Sequence, residues 1–159
     1  MLVEELLHSS PLRLITAGPQ TPVSEAAQRM AQNNIGLVVV MDDDQVAGVF
    51  SERDLVKGFG AAEIVIEEAV VGDLMTKLII TVSPTDSLVD ATIAMNANNI
   101  RHLVVVQAGR PVGVVSIRDV LRVFAEQLLA VKDDAGGELE LDLVKALAAG
   151  PILAAGGAL

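Results

Sequence analysis

The chain has 159 residues, 52% of them hydrophobic, and a formal net charge of −10. That length and apolar content supply a core for one large domain or two small fused ones and exclude a disordered chain. The acidic balance disfavours nucleic-acid binding, three Phe with no Trp or Tyr leave few base-stacking platforms, and zero Cys with two His (His8, His102) excludes disulfides, thiolate chemistry and Cys- or His-rich metal sites.

Residues 1–11 form an N-terminal segment, in which Glu4 and Glu5 stand where a signal peptide carries Lys or Arg. No stretch reaches the roughly 18 apolar residues of a membrane span. The expected location is the cytoplasm. A short apolar run, Leu12–Thr16, predicts a strand followed by a Pro-containing turn. Thr21 is placed to cap the next helix, with Glu25 near the positive end of its dipole, and that helix runs to Asn33-Asn34. Two β-branched runs, Leu37–Met41 and Val46–Phe50, flank the polar Asp42-Asp43-Asp44-Gln45 and predict a hairpin. The hairpin leads into Ser51-Glu52-Arg53-Asp54, where a second helix opens, and Gly58 to Gly72 is an Ala- and Glu-containing connector.

The same order then recurs. Leu78–Val82 predicts a strand, Asp86 a cap with Asp90 behind it, and Leu88, Ala91, Thr92 and Met95 fall at helical spacing. A hairpin of Leu103–Val106 and Val112–Val115 around Gln107–Pro111 leads into Ser116-Ile117-Arg118-Asp119 and a further helix. After residue 132 the pattern changes: Asp133–Gly137 is a breaker, and Glu138–Ala149 predicts a short amphipathic helix. The Ala/Gly-rich end predicts disorder or loose docking.

Residues 19–57 lie over 84–122 without a gap, and 13 of the 39 pairs are identical, including Asn34/Asn99, Gly48/Gly113, Ser51/Ser116, Arg53/Arg118 and Asp54/Asp119. The chain is a duplication. The expected fold is α/β (α+β), two tandem β-α-β-β-α repeats, over 12–60 and 73–130, joined by 61–72 and followed by a flexible extension over 131–159. Faces this small cannot bury themselves alone, so the repeats are expected to pack as a pseudo-two-fold pair.

A helix N-terminus presents unpaired N–H groups and partial positive charge, which suits a phosphate. Ser51 and Ser116 offer hydroxyls at that point. Asp54 and Asp119, one turn on, have two acceptor oxygens that match the adjacent hydroxyls of a ribose. The same Ser-x-x-Asp spacing is also an ordinary cap that needs no ligand. Arg101 and His102 follow the first helix of the second copy, where an Arg could bond phosphate or simply cap carbonyls. The first copy has Gly36 and Leu37 there. Arg53 and Arg118 could reach phosphate or pair with local acids such as Glu52. Lys57 and Arg122 fit solvated helix faces, and Met30, Met75 and Met95 read as core filler.

Val71-Gly72-Asp73-Leu74-Met75-Thr76, Ile100–Val106, and the twin segments Gly48–Asp54 and Gly113–Asp119 together resemble a CBS-domain pair, or Bateman module, of the stand-alone bacterial type. The likeness covers residues 12 to about 125. It implies a regulatory module, not an enzyme, that binds adenine nucleotides in the cleft between two repeats and transmits its state to a partner protein. It further implies that Asp54 and Asp119 hold ribose, that Ser51 and Ser116 lie nearer phosphate, and that the strands at Thr16 and Thr81 form the adenine-contacting edge. The ligands implied are AMP, ADP or ATP, with an NAD-type dinucleotide or S-adenosylmethionine equally furnished with adenine and ribose. No cofactor is obligatory, and a homodimer is expected. The first copy departs from the pattern: it lacks the Val-Gly-Asp-Leu-Met-Thr lead-in, and Leu6–Pro11 stands in its place. The competing reading is a ligand-free dimerisation scaffold.

Overall fold

The computed structural model describes residues 1–9, 14–61, 65 and 67–131. The expected strand start at Leu12, the breaker at Asp133–Gly137 and the expected helix over Glu138–Ala149 lie outside the described residues. Within them the order is α1 (Val3–Ser9), β1 (Thr16–Ala17), α2 (Val23–Asn33), β2 (Leu37–Asp42), β3 (Gln45–Ser51) and α3 (Glu52–Gly60). Then follow α4 (Val71–Leu74), β4 (Thr81–Val82), α5 (Leu88–Ala97), β5 (His102–Gln107), β6 (Arg110–Ser116) and α6 (Ile117–Val131). The β-α-β-β-α order is present twice, and each copy forms its own three-stranded sheet, β1-β2-β3 and β4-β5-β6. The first strand of each sheet is shorter than the apolar run predicts, two residues in both copies.

The chain divides into two compact units, and neither is a simple half of it. One unit holds residues 14–61, 65 and 67–79 together with residues 106–112 of the second hairpin. There β1 runs parallel to β2 (Thr16 opposite Val39) and β2 antiparallel to β3 (Leu37 opposite Ser51). The apolar run Leu37–Val40 is buried throughout, as expected for a central strand covered on both faces. Beneath it α2 lays down Val23, Ala26 and Met30. The other unit holds residues 1–9, 80–105 and 113–131, with β4 parallel to β5 (Thr81 opposite Val104). Here Leu88, Ala91, Thr92 and Met95 are all buried, as their spacing predicts.

Helix ends show where turn chemistry replaced the expected caps. Thr21 does not cap α2; its Oγ1 accepts from the Gly18 N–H at 2.9 Å and closes the preceding turn. Asp86 likewise accepts from the Ser83 N–H at 2.7 Å. The N-cap residues are one position later: Ser87, whose hydroxyl accepts from the Asp90 N–H at 3.0 Å, and Pro22, which has no side chain able to do so. A left-handed Asn closes each of these first helices, Asn34 (φ 52°) as the C-cap of α2 and Asn99 (φ 51°) one residue past the α5 C-cap Asn98, in a backbone region Asn tolerates better than most residues.

The N-termini of α2 and α5 are completed by backbone from elsewhere in the chain. The Val23 N–H donates to Ala69 O, the Val71 N–H to Thr21 O and the Gly72 N–H to Pro19 O, at 3.0, 2.9 and 2.8 Å. In the other unit the Leu88 N–H donates to Met1 O, the Val3 N–H to Asp86 O and the Glu4 N–H to Pro84 O, at 3.1, 2.9 and 2.9 Å. Met1–Leu7 and Ala69–Met75 therefore hold matching places. This corrects the expectation that the first copy lacks a lead-in. The lead-in preceding the second copy serves the first, and the N-terminal segment serves the second.

Close approach in this arrangement depends on Gly48. Val49 and Thr76 exchange backbone bonds of 3.0 and 2.9 Å, and a Cβ at Gly48 would stand 2.5 Å from the Thr76 carbonyl oxygen. At the matching Gly113 a Cβ would meet only the Leu7 side-chain tip, at 2.6 Å. Backbone cannot yield cheaply, whereas a Leu tip can rotate. Gly48→Ala should therefore cost about 1–3 kcal/mol, the range for overpacking, and Gly113→Ala distinctly less. Urea unfolding of the two variants checks this; equal losses would show that the Thr76 peptide moves freely.

Candidate functional site

The two Ser-x-Arg-Asp segments sit where the last strand of each sheet becomes a helix. Ser51 ends β3 in extended conformation (φ −125°, ψ 166°) and is the N-cap of α3. Its N–H and Oγ–H both donate to Asp54 Oδ2, at 2.9 and 2.6 Å, and the Asp54 N–H donates back to Ser51 Oγ at 3.4 Å. This is a capping box, in which two orphan donors of the helix start are satisfied reciprocally. At the start of α6 the Ser116 N–H and Oγ–H donate to Asp119 Oδ2 at 3.2 and 2.5 Å, and the Asp119 N–H returns to Ser116 Oγ at 3.2 Å.

The copies diverge beyond the box. Asp54 is only 6% exposed, and its second oxygen, Oδ1, accepts from Thr76 Oγ1 at 3.0 Å. The residue in the matching place to Thr76 is His8, which is exposed on α1 and whose Nδ1 lies 2.6 Å from Glu4 O. Asp119 is half-buried, and no residue among those described bonds its Oδ1.

The remaining expected site residues fall around these junctions. Thr16 opens β1 at the same end of the sheet as Ser51, since Val39 and Leu37 of β2 face the two. The Thr16 carbonyl accepts from Arg29 Nη1 at 2.5 Å, while Arg29 Nη2 pairs with Glu25 at 2.6 Å. Thr81 opens β4 and is exposed. The carbonyls of Gly36 and Arg101 accept the first helical N–H of α3 and α6, from Glu52 at 3.1 Å and Ile117 at 2.9 Å. The Arg101 peptide is thus fixed beside the Ser116–Asp119 box, and its side chain is exposed with no bonded partner among the described residues. His102, half-buried, opens β5. Arg53 and Arg118 are exposed on the first turns of α3 and α6. Thr16, Ser51, Arg53 and Asp54 thus share one unit, and Thr81, Arg101, His102, Ser116, Arg118 and Asp119 the other.

Thr76 and Arg29 were not singled out from the sequence. Their signal was a difference between the copies, because Arg29 aligns with Ala94 and Thr76 lies in a phrase outside the aligned block. Among the described residues no group of three or more His, Asp or Glu could hold a metal ion, and no helix is long and apolar enough to cross a membrane.

Two α/β repeats with matching capped junctions define a tandem-repeat module. The chain belongs to the CBS domain family, whose model matches residues 3–60 and 71–126, starting each time at a lead-in helix. It is 36% identical over 106 residues to an uncharacterized 17.7 kDa protein of Acidianus ambivalens, a match covering 65% of this chain and 63% of that one. The chain thus spans less than two thirds of that relative. The CBS domain protein PAE2072 from Pyrobaculum aerophilum, solved in complex with AMP, superposes with a TM-score of 0.67 at 29% identity over 79% of this chain and 99% of that one. The CBS domain pair of protein MJ0100, in complex with 5′-methylthioadenosine and S-adenosyl-L-methionine, does so at 0.69 and 25% identity, over 78% of this chain and 99% of that one.

The unequal bonding makes unequal stability effects. Asp54→Ala removes three acceptor contacts at a buried carboxylate and should cost about 2–3 kcal/mol, while Asp119→Ala should cost about 1 kcal/mol, the worth of a cap. Denaturant midpoints of the two variants measure the difference. A loss at Asp119 equal to that at Asp54 would contradict the bonding described.

Proposed function

We propose that this CBS-domain chain is a regulatory ligand-sensing module that binds adenine nucleotides and passes the bound state to a partner protein. The observation that carries the reading is the Ser116–Asp119 box, with a carboxylate oxygen that no described residue bonds and the Arg101 peptide fixed against the same helix start. Asp119 offers acceptors to ribose hydroxyls. The α6 N-terminus favours phosphate, and Arg101 adds a charge-assisted donor. The AMP-bound PAE2072 and the adenosyl-bound MJ0100 pair support an adenosyl ligand here. AMP, ADP, ATP, an NAD-type dinucleotide and S-adenosylmethionine all carry the recognised part.

The role is binding, not turnover: the hydroxyl protons of Ser51 and Ser116 are committed to cap carboxylates. We place its action in the cytoplasm, as a homodimer. Val56 and Phe59 on α3, 69% and 67% exposed, are apolar groups such an interface would cover. One observation favours the alternative of a ligand-free scaffold: both boxes close on their own residues.

Calorimetric titration with AMP, ATP, NAD, S-adenosylmethionine and GTP separates the two. Adenine ligands should bind and GTP should not; silence toward every adenine ligand establishes the scaffold. Arg101→Ala should weaken AMP by about 1.5–3 kcal/mol, the range for a bond to a charged group, and leave adenosine unchanged. An equal loss for both ligands would remove the phosphate role of Arg101.

A further inference from the structure

The two copies are alike in motif and unlike in what already fills them. A ribose needs carboxylate acceptors, and a base needs backbone acceptors at the strand edge. In the first copy both already hold donors from the chain itself. Asp54 Oδ2 holds two Ser51 donors, Asp54 Oδ1 holds the Thr76 hydroxyl, and the residue is 6% exposed. The Thr16 carbonyl holds the Arg29 guanidinium. In the second copy Asp119 Oδ1 has no bond among the described residues. Ala94 stands where Arg29 would be, with a methyl group that can donate nothing, and His8 stands where Thr76 would be.

We infer that the chain carries one open adenosine site and one self-occupied site. The Asp119 repeat takes the ligand, and Thr76 and Arg29 act as built-in occupants of the Asp54 repeat. This rests on the adenine-nucleotide reading above. A ribose entering at Asp54 would have to share Oδ1 with the Thr76 hydroxyl on a carboxylate only 6% exposed, so it gains less there than at Asp119. A base amino group entering at Thr16 would have to compete for, or share, a carbonyl that already holds a charge-assisted donor. No described residue imposes such sharing at Asp119 Oδ1. A third difference points the same way: the cation placed by its backbone at the helix start, Arg101, belongs to the Asp119 repeat, and Gly36 holds that place in the other. The duplication has kept two caps and one ligand position.

AMP titration of the purified chain by calorimetry tests this. Wild type should bind one equivalent per chain, and Asp119→Asn should weaken that binding at least about tenfold, as expected for losing bonds to a charged acceptor. Thr76→Val combined with Arg29→Ala should add a second equivalent, and that equivalent should persist when Asp119→Asn is added. Two equal equivalents in wild type, or unchanged affinity in Asp119→Asn, overturns the inequality while leaving adenine binding intact. A folded double variant that gains nothing removes the occupant role of Thr76 and Arg29. Wild type silent to AMP, ATP, NAD and S-adenosylmethionine overturns both the inequality and the binding reading beneath it. Should the double variant fail to fold, wild-type stoichiometry and Asp119→Asn still decide the matter.

Discussion

Helices α2 and α5 begin with N–H groups that nothing inside them can satisfy, and an orphaned buried N–H costs about as much as a lost hydrogen bond. The chain meets part of that cost with its own distant backbone: the Ala69 carbonyl accepts from the first N–H of α2 and the Met1 carbonyl from the first N–H of α5, while the N–H groups of Val71 and Gly72, and of Val3 and Glu4, donate in return to carbonyls of the turns before those helices. Once those bonds form, the lead-in segments are fixed in register, and their last residues must lie against the strands that deliver the Ser-x-Arg-Asp boxes. Gly48 and Gly113 mark where they do. The site is therefore positioned from two sides, by the sheet that ends at Ser51 or Ser116 and by the lead-in that arrives from elsewhere.

The two lead-ins then behave differently, because one stops being helical sooner. Helix α4 has four residues and ends at Leu74; Met75 is extended (ψ 148°), which frees the Thr76 peptide to exchange bonds with Val49. Helix α1 runs for seven residues, and His8 remains within its last turn. Glu4, Glu5, Leu6 and Leu7 are good helix formers, whereas the other lead-in has Gly72 in its place and Thr76 at its end. Gly72 cannot easily be replaced by such a residue, since a Cβ there would lie 3.0 Å from Pro19 O. A difference in helix propensity at the lead-in is thus converted into a difference at a carboxylate: Thr76 reaches Asp54, and no equivalent group among the described residues reaches Asp119.

What could be read from the sequence follows from how local its cause is. The hairpins, the second helices and the Asn-terminated first helices depend on neighbouring residues, and the repeat doubled each signal. The caps were misplaced by one residue because Thr21 and Asp86 serve turns equally well, and the choice was made by the distant backbone of Ala69 and Met1. The lead-in exchange was illegible for the same reason: Met1–Leu7 and Ala69–Met75 share only Val3/Val71 and Leu6/Leu74, and the pairing lies in backbone bonds that carry no residue code. Of the site, the boxes and the Arg101 asymmetry were visible as residue types at fixed spacing. The engagement of Asp54 by Thr76 was not, since it depends on where a four-residue helix ends.

A protein of net charge −10 repels a nucleotide on average, so recognition must come from a few groups that act together at short range. The Asp119 repeat places such groups on three separate elements: the helix start with Ser116, the loop before β5 with Arg101, and the strand edge at Thr81. A ligand can shift a conformational equilibrium only by as much as its affinity for the two states differs. Groups carried on separate elements supply such a difference, because a change that moves one element relative to another alters the ligand's bonds. A single self-contained box could not do so, since Ser116 and Asp119 keep their mutual geometry whatever the rest of the chain does. On the one-site proposal, a closed box such as that of Asp54 would serve as fixed structure. A ligand would then act at the Asp119 repeat alone, and its effect on the chain would not be cancelled by symmetric binding at the other.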